Sequence, residues 1–227
     1  MSHKITAALA LAAALLLTGC ATNPASTLAA PATVTSTAGV KGSIYGGRQP
    51  ISGASITLFQ TGTTGYGAGA TPLESTTSNS NGMFNFNAFT CTAGTQLYLA
   101  SVGGDPYGNG ENNVAATLMA GLVSCNNASS ITFVNINEVT TISTVWALAP
   151  FMNDLTIGAP ASNQNGLANA FQDVSTLVNF ATGVSPGANL PPGATVPTAE
   201  INTLANALVS CINSFDNAST TPESCPT

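Results

Sequence analysis

The chain has 227 residues, of which 5% are charged, and its formal net charge is −6. Lysine and arginine together number only three, which argues against a nucleic-acid partner, because binding phosphates requires basic residues that release counterions. The polar surface must therefore consist mainly of Asn, Ser, Thr and Gln side chains.

Residues 1–19 predict a secretory signal peptide. Lys4 supplies a positive start, and residues 5–17 form an apolar run of secretory length that is too short for a membrane span. The sequence Leu17-Thr18-Gly19-Cys20 resembles a bacterial lipobox. In that family a peptidase cleaves before the cysteine, which then carries a diacylglycerol and usually an N-acyl chain, so the resemblance implies lipidation of Cys20. The alternative is an ordinary signal peptide with a chance cysteine.

Lipidation of Cys20 would anchor the protein at the cell envelope. Each buried methylene contributes about 0.8 kcal/mol, so two or three acyl chains hold a protein at a membrane practically permanently. In lipoproteins of two-membrane bacteria an aspartate after the modified cysteine favours the inner membrane, and Ala21 at that position implies the outer membrane or cell surface. Cleavage would leave two basic side chains against nine acidic ones, a formal charge of 2 − 9 = −7. Residues 20–38 lack charged and aromatic residues and predict a flexible tether.

Four further cysteines, Cys91, Cys125, Cys211 and Cys225, predict disulfides. An even number of cysteines in an exported chain is the usual disulfide pattern. Of the three pairings, we favour Cys91–Cys125 and Cys211–Cys225, because each closes a loop within its own half. A metal site is disfavoured, since Cys-x-x-Cys spacing and a nearby histidine are missing.

Residues 39–103 predict an antiparallel β-sandwich. Alternating apolar residues at 40–45 and 54–59, and an apolar run at 97–102, indicate strands. The glycine-rich loop at 62–69 is expected to expose Tyr66.

A hairpin is predicted between strands at 73–77 and 83–86. The connecting sequence Asn79-Ser80-Asn81-Gly82 favours the positive φ that tight hairpins need. Phe84 and Phe86 fall on one face of the second strand.

Residues 47–59 have the pattern Gly-x-x-Pro-Ile-Ser-Gly-Ala-x-Ile-x-Leu-Phe, and they are followed by Thr76-Thr77 and by Asn81-Gly82-x-Phe84-x-Phe86. This motif resembles the carboxypeptidase regulatory-like domain. The resemblance covers about residues 39–103 and implies a prealbumin-like (transthyretin-like) Greek-key sandwich. Modules of this family are non-catalytic structural or interaction domains, so the resemblance implies no functional residue.

Residues 104–227 predict a mainly helical region with one added strand at 131–136. A first helix, ending at Cys125, is expected from the helical spacing of Val114, Ala115, Leu118 and Leu122. A second helix is expected to begin at the N-cap Asn137, with Glu138 placed favourably against the helix dipole, and to stop near Pro150. Its predicted inner face consists of Val139, Ile142, Val145, Trp146 and Ala149.

Two more amphipathic patterns complete the chain. One face consists of Leu167, Ala170, Phe171, Val174, Leu177 and Val178. The other consists of Ile201, Leu204, Leu208, Ile212 and Phe215. We expect these helices to pack on the sandwich or on one another, which makes the fold class α+β.

A polar loop near residue 105 suggests a calcium site. Asp105, Asn109 and Glu111 supply oxygen ligands of the kind that Ca²⁺ prefers. Their spacing does not match the EF-hand pattern, and a hydrophilic turn is the favoured interpretation.

Catalysis is not expected. His3 is the only histidine and lies in the predicted signal, so the mature chain has no Ser-His-Asp triad. A carboxylate pair for glycoside hydrolysis remains as an alternative among Glu111, Glu138, Asp154, Asp173 and Glu200. Trp146 is expected in the core rather than under a sugar.

The sequence thus predicts a non-catalytic surface lipoprotein that acts as a structural or protein-interaction module of the envelope. A second hypothesis is a carbohydrate- or peptidoglycan-binding module that uses Tyr66 and Tyr107, which both lie in glycine-rich loops.

Overall fold

A computed structural model describes residues 31–36 and 39–213. Residues 32–36 and 39–213 belong to one compact unit. The strands are β1 (Thr33–Ser36), β2 (Lys41–Gly46), β3 (Gln49–Pro50), β4 (Ser55–Gln60), β5 (Thr71–Thr77), β6 (Met83–Asn85), β7 (Phe89–Thr92), β8 (Gln96–Val102), β9 (Thr117–Ser124), β10 (Phe133–Ile136), β11 (Met152–Asn153) and β12 (Thr156–Ile157). The α-helices are α1 (Glu138–Leu148), α2 (Gln164–Leu177) and α3 (Thr198–Ile212). The predicted α+β class is confirmed.

Two sheets enclose the first core. In one sheet, β2 pairs with β10 in parallel and with β3 and β6 antiparallel; the other sheet is antiparallel, in the order β5-β4-β8-β9. The first core draws on both sheets and includes Val40, Ile44, Ile56, Leu58, Phe84, Leu97, Leu99, Leu118, Ala120, Leu122, Val134 and Ile136. Burial of these side chains supplies the main favourable term for holding the two sheets together.

A second core lies on the other face of the β5-β4-β8-β9 sheet. It joins Tyr98, Ala100 and Met119 of the sheet to apolar residues of the helical region, including Leu148, Phe151, Leu167, Phe171 and Val174. Along β8, successive side chains alternate between the two cores, because strand side chains point to opposite faces. The helical region therefore packs on the sheet, as expected.

The predicted helix from Val114 to Cys125 is wrong, because residues Thr117–Ser124 form strand β9. Leu118, Ala120 and Leu122 face the first core, and Met119 faces the second. A strand that is buried on both faces has a continuous apolar sequence, which periodicity cannot distinguish from a buried helix.

The predicted hairpin is wrong in its pairing, although its turn is confirmed. Strand β5 pairs with β4, and β6 pairs with β2, so the turn carries the chain from one sheet to the other. The side-chain oxygen of Asn79 accepts hydrogen bonds from the backbone N–H groups of Asn81 and Met83, and Gly82 has a φ of +70°. Buried Ser78 fixes the crossing: its hydroxyl accepts a hydrogen bond from the backbone N–H of Ala54.

The predicted tether through residue 38 is wrong for residues 33–36. Residues Thr33–Ser36 form β1, which pairs with β7, and Val34 packs against the first core. This strand lies next to the Cys91–Cys125 disulfide. The predicted pairing of these two cysteines is confirmed. Cys211 is also disulfide-bonded, and its predicted partner Cys225 lies outside the described residues.

Helix α1 begins as predicted, but its predicted inner face is wrong. The side chain of Asn137 caps the helix by accepting from the backbone N–H of Thr140. Among the residues expected inside, Val145 and Trp146 are exposed, and Trp146 retains 49% of its accessible surface. The helix instead buries a row of hydroxyl side chains, Thr140, Thr141, Ser143 and Thr144.

These buried threonines cover the free edge of β9. The Thr144 hydroxyl accepts from the backbone N–H of Gly121 (2.8 Å), and the Thr141 hydroxyl accepts from that of Met119 (2.9 Å). The Thr140 hydroxyl donates to the Met119 carbonyl (2.9 Å). An edge strand exposes unpaired backbone groups, and α1 satisfies them with hydroxyls rather than with another strand.

The other two helices agree with prediction except at particular positions. Leu167, Ala170, Phe171 and Val174 of α2 are buried. In α3, Ile201 and Ile212 are buried but Leu204 is exposed, and Phe215 lies outside the described residues. In the described part of the chain, the helices lack the length and apolarity needed to cross a membrane.

Candidate functional site: a polar cleft beside the Asp105 loop

A cleft of about 430 Å³ lies at the end of the β4–β8 pair, beside the loop at 103–114. Two chain segments that are distant in sequence, 52–55 and 102–114, contribute to it, and its lining consists of Ser52, Gly53, Ser55, Val102, Gly103, Gly104, Asp105, Gly110, Asn112 and Val114. Backbone pairing between Ser52 and Asp105 holds these two segments together. The sequence predicted Asp105 as a site residue but not the other members of the lining.

Asp105 organises the loop through its carboxylate. Its Oδ1 accepts from the backbone N–H groups of Tyr107 (2.9 Å) and Gly108 (2.7 Å), and its Oδ2 accepts from that of Gly110 (2.6 Å). Desolvation acts to raise the pKa of this carboxyl, but the backbone donors outweigh it and hold the pKa below its usual value. Asp105 is therefore ionised at neutral pH, and its oxygens stabilise a tight turn.

The three predicted calcium ligands behave differently from one another. Asn109 uses its side-chain oxygen to accept from the backbone N–H of Glu111 (3.0 Å), and Glu111 itself is exposed. Within the described residues, no three His, Cys, Asp or Glu side chains gather as a metal site would require. The calcium site remains a prediction for a titration to test.

The far end of the same loop caps α3. Buried Asn113 donates from Nδ2 to the carbonyls of Ile212 (2.9 Å) and Cys211 (3.1 Å), which are among the unpaired carbonyls that every helix leaves at its C-terminus. The Tyr107 hydroxyl donates to the carbonyl of Asn213. The loop that borders the cleft is thus fastened to a helix from the other end of the chain.

The two predicted contact tyrosines are both exposed but lie on different elements. Tyr66 packs its ring against Phe151, with centroids 5.8 Å apart, and its hydroxyl accepts from Nδ2 of Asn163 (3.0 Å). Tyr107 instead contacts the end of α3 and is absent from the lining of the cleft.

The acidic residues considered for catalysis are dispersed over separate elements. Glu111, Asp173 and Glu200 are exposed, in the Asp105 loop, α2 and α3 respectively. Glu138 is buried at the start of α1, where its Oε1 accepts from the backbone N–H of Gly47 (2.7 Å).

Burial raises the pKa of the Glu138 carboxyl, and hydrogen bonds from backbone N–H groups of Glu138 and Gly47 partly offset that effect. The carboxyl fastens the turn between β2 and β3 to α1, which is a structural contact.

The chain matches no protein-family model and no curated protein sequence. The similarity to the carboxypeptidase regulatory-like domain therefore remains an interpretation of the motif at 47–86.

Proposed function

We propose that the chain is an exported, lipid-anchored and non-catalytic module of the cell envelope, with a prealbumin-like sandwich. The observation that carries this proposal is Cys20, which directly follows Leu-Thr-Gly at the end of an apolar run and shortly precedes the compact unit that starts at Ala32. Cleavage before Cys20 would leave residues 21–31 between lipid and fold.

The disulfide supports export. Disulfides persist in oxidising compartments and are rare in the cytosol, and Cys91–Cys125 joins residues separated by 34 positions in the sequence. A charge-poor surface also fits an exterior with variable pH, since few groups on it titrate.

A structural or interaction role is favoured over catalysis by how the polar groups are used. The Glu138 carboxylate accepts a hydrogen bond from the β2–β3 turn, and the Asp105 carboxylate accepts hydrogen bonds from its own loop. The α1 threonine hydroxyls bond the backbone at the β9 edge. These groups stabilise the fold.

Mass spectrometry of protein purified from membranes tests the proposal. We expect an N-terminal peptide that begins at Cys20 and carries the mass of a diacylglycerol and an acyl chain. Cys20→Ala should abolish both cleavage and lipidation, while Ala21→Asp should preserve lipidation and move the protein from the outer to the inner membrane. An unmodified Cys20, or a mature chain that starts elsewhere, would show that the protein is not a lipoprotein.

A further inference from the structure

The cleft combines uncharged hydrogen-bonding groups from separate segments. Ser52 and Ser55 come from one chain segment, and Asn112 comes from the Asp105 loop. Within the described part of the chain, neither serine hydroxyl makes a hydrogen bond, and the Asn112 side chain uses only its oxygen, which accepts from the backbone N–H of Gly104 (2.5 Å). Two hydroxyls and one amide NH₂ are therefore available to a ligand in the cleft.

Two aliphatic side chains complete the lining. Val102 and Val114 are 42% and 46% exposed, which is high for large apolar residues in a fold that buries its other β8 side chains. Small-molecule sites typically pair apolar walls with a few polar groups that fix orientation. The cleft thus offers both kinds of contact.

The electrostatics of the cleft restrict the class of ligand. Its lining contains no lysine or arginine, and Asp105 contributes a negative charge, so phosphate, sulfate and uronate groups would meet repulsion without a counter-charge. A matching ligand is neutral, carries several hydroxyls and has an apolar face. A pyranose ring has these properties, since its C–H groups form a face and its hydroxyls form an edge.

We infer that this cleft binds a neutral sugar residue, with Ser52, Ser55 and Asn112 bonding the hydroxyls and with Val102 and Val114 packing on the ring. This inference goes beyond the proposed lipid anchoring. It also differs from the sequence hypothesis in its residues, because Tyr66 and Tyr107 lie outside the lining.

A glycine in the lining of the cleft offers a test, because a side chain added there should fill the cleft without unfolding the protein. Gly53 has a φ of +72°, and a Cβ built on it would meet no atom within 4 Å, so a side chain there would enter the open space of the cleft. Asparagine tolerates positive φ better than most residues. Gly53→Asn is therefore expected to fill the cleft while the protein stays folded.

A matched control exists at Gly94. It has a φ of +86°, a Cβ there would also meet no atom within 4 Å, and it is not part of the cleft. Gly94→Asn imposes the same backbone demand in a different place.

Calorimetric titration of the full chain with neutral trisaccharides of N-acetylglucosamine, glucose and mannose tests the inference. We expect at least one to bind with a dissociation constant of about 1 mM or tighter. Gly53→Asn should reduce affinity at least tenfold, Ser55→Ala at least threefold, and Gly94→Asn should leave it unchanged.

Two results would overturn the inference: the absence of binding by all three sugars at 10 mM, or binding that Gly53→Asn and Ser55→Ala do not weaken. Unfolding midpoints of the variants separate loss of binding from loss of fold. The mass of the Cys20 peptide is independent of this titration, so failure of the sugar site and failure of the lipoprotein proposal are distinguishable.

Discussion

Replacing Thr144 by valine should destabilise the protein although the two side chains have nearly the same shape. Thr144 is fully buried, and its hydroxyl accepts from the backbone N–H of Gly121, which points outward from the edge strand β9. Valine leaves that buried N–H without an acceptor. An unsatisfied buried donor costs about 1–3 kcal/mol. For a compact unit of this size, each kcal/mol lowers Tm by about 2–4 °C, so we expect a loss of about 2–12 °C.

Thr203→Val is the matched control. Thr203 lies on the exposed surface of α3, and its hydroxyl donates only to the carbonyl of Ala199 in the same helix (2.8 Å). Its replacement should change the free energy of unfolding by less than about 0.5 kcal/mol, as is usual for surface positions.

Urea unfolding of both variants gives the magnitude, and amide hydrogen exchange of Gly121 gives the location. Protection of the Gly121 amide should fall in Thr144→Val and remain in Thr203→Val. Equal stabilities of the two variants, with Gly121 still protected in both, would refute the conclusion that α1 threonines satisfy the edge of β9.

Four further predictions concern charge, crosslinks and metal. Because the folded pKa of Glu138 is raised above its unfolded value of 4.5, the ionised carboxyl opposes folding. The wild type should therefore lose stability relative to Glu138→Gln as the pH rises above 4.5. An equal difference between the urea midpoints of the two proteins at about pH 4 and at about pH 7 would contradict this. The folded pKa of Asp105 is lowered, so its stabilising contribution should persist above pH 3.8 and be lost as the pH falls further; NMR shifts of the Gly108 amide should titrate below pH 3.8, and a midpoint at or above that value would count against it. Replacing both Cys91 and Cys125 by alanine should lower the free energy of unfolding by about 3–4 kcal/mol on the chain-entropy model, measured in urea, and a loss under 1 kcal/mol would show that the crosslink adds little. Calorimetric titration with CaCl₂ should give no heat of micromolar affinity if the Asp105 loop is only a turn, whereas heat that Asp105→Ala abolishes would establish the calcium site.

Local sequence patterns predicted six of the twelve strands in the described residues and both ends of helix α1. Alternation located β4, and the run at 97–102 located β8, because side chains of a strand point to opposite faces. The Asn-Gly sequence predicted the turn that contains Gly82, and the N-cap residue Asn137 predicted the start of α1. These features depend on contacts within a few residues.

The same reasoning failed where the distant environment decides the outcome. Periodicity assumed that the apolar side of α1 faces inward, but the helix lies over the open edge of β9, where hydroxyls bond the backbone and Trp146 is left exposed. A sequence does not state which strand forms the edge of a sheet. The assignment of Thr117–Ser124 as a helix failed for a related reason, since burial on both faces removes the alternation that marks a strand.

The candidate site was the least predictable part. Its lining joins residues near positions 52, 102 and 112, and only Asp105 among them belonged to a pattern with recognisable chemistry. Clusters of glycine with polar residues at 103–113 marked a turn-rich loop, but a loop sequence does not specify what it packs against.

By itself, the sequence determined the positions of half of the described strands, the turn at Gly82 and the cap of α1, because steric preferences and capping act locally. It favoured the pairing of Cys91 with Cys125 among three alternatives. Only the tertiary structure decided that β5 and β6 join different sheets, that threonines line the inner face of α1, and that two remote segments form one cleft. These outcomes depend on which buried backbone groups need partners once the sheets have packed, and that requirement arises only from long-range contacts.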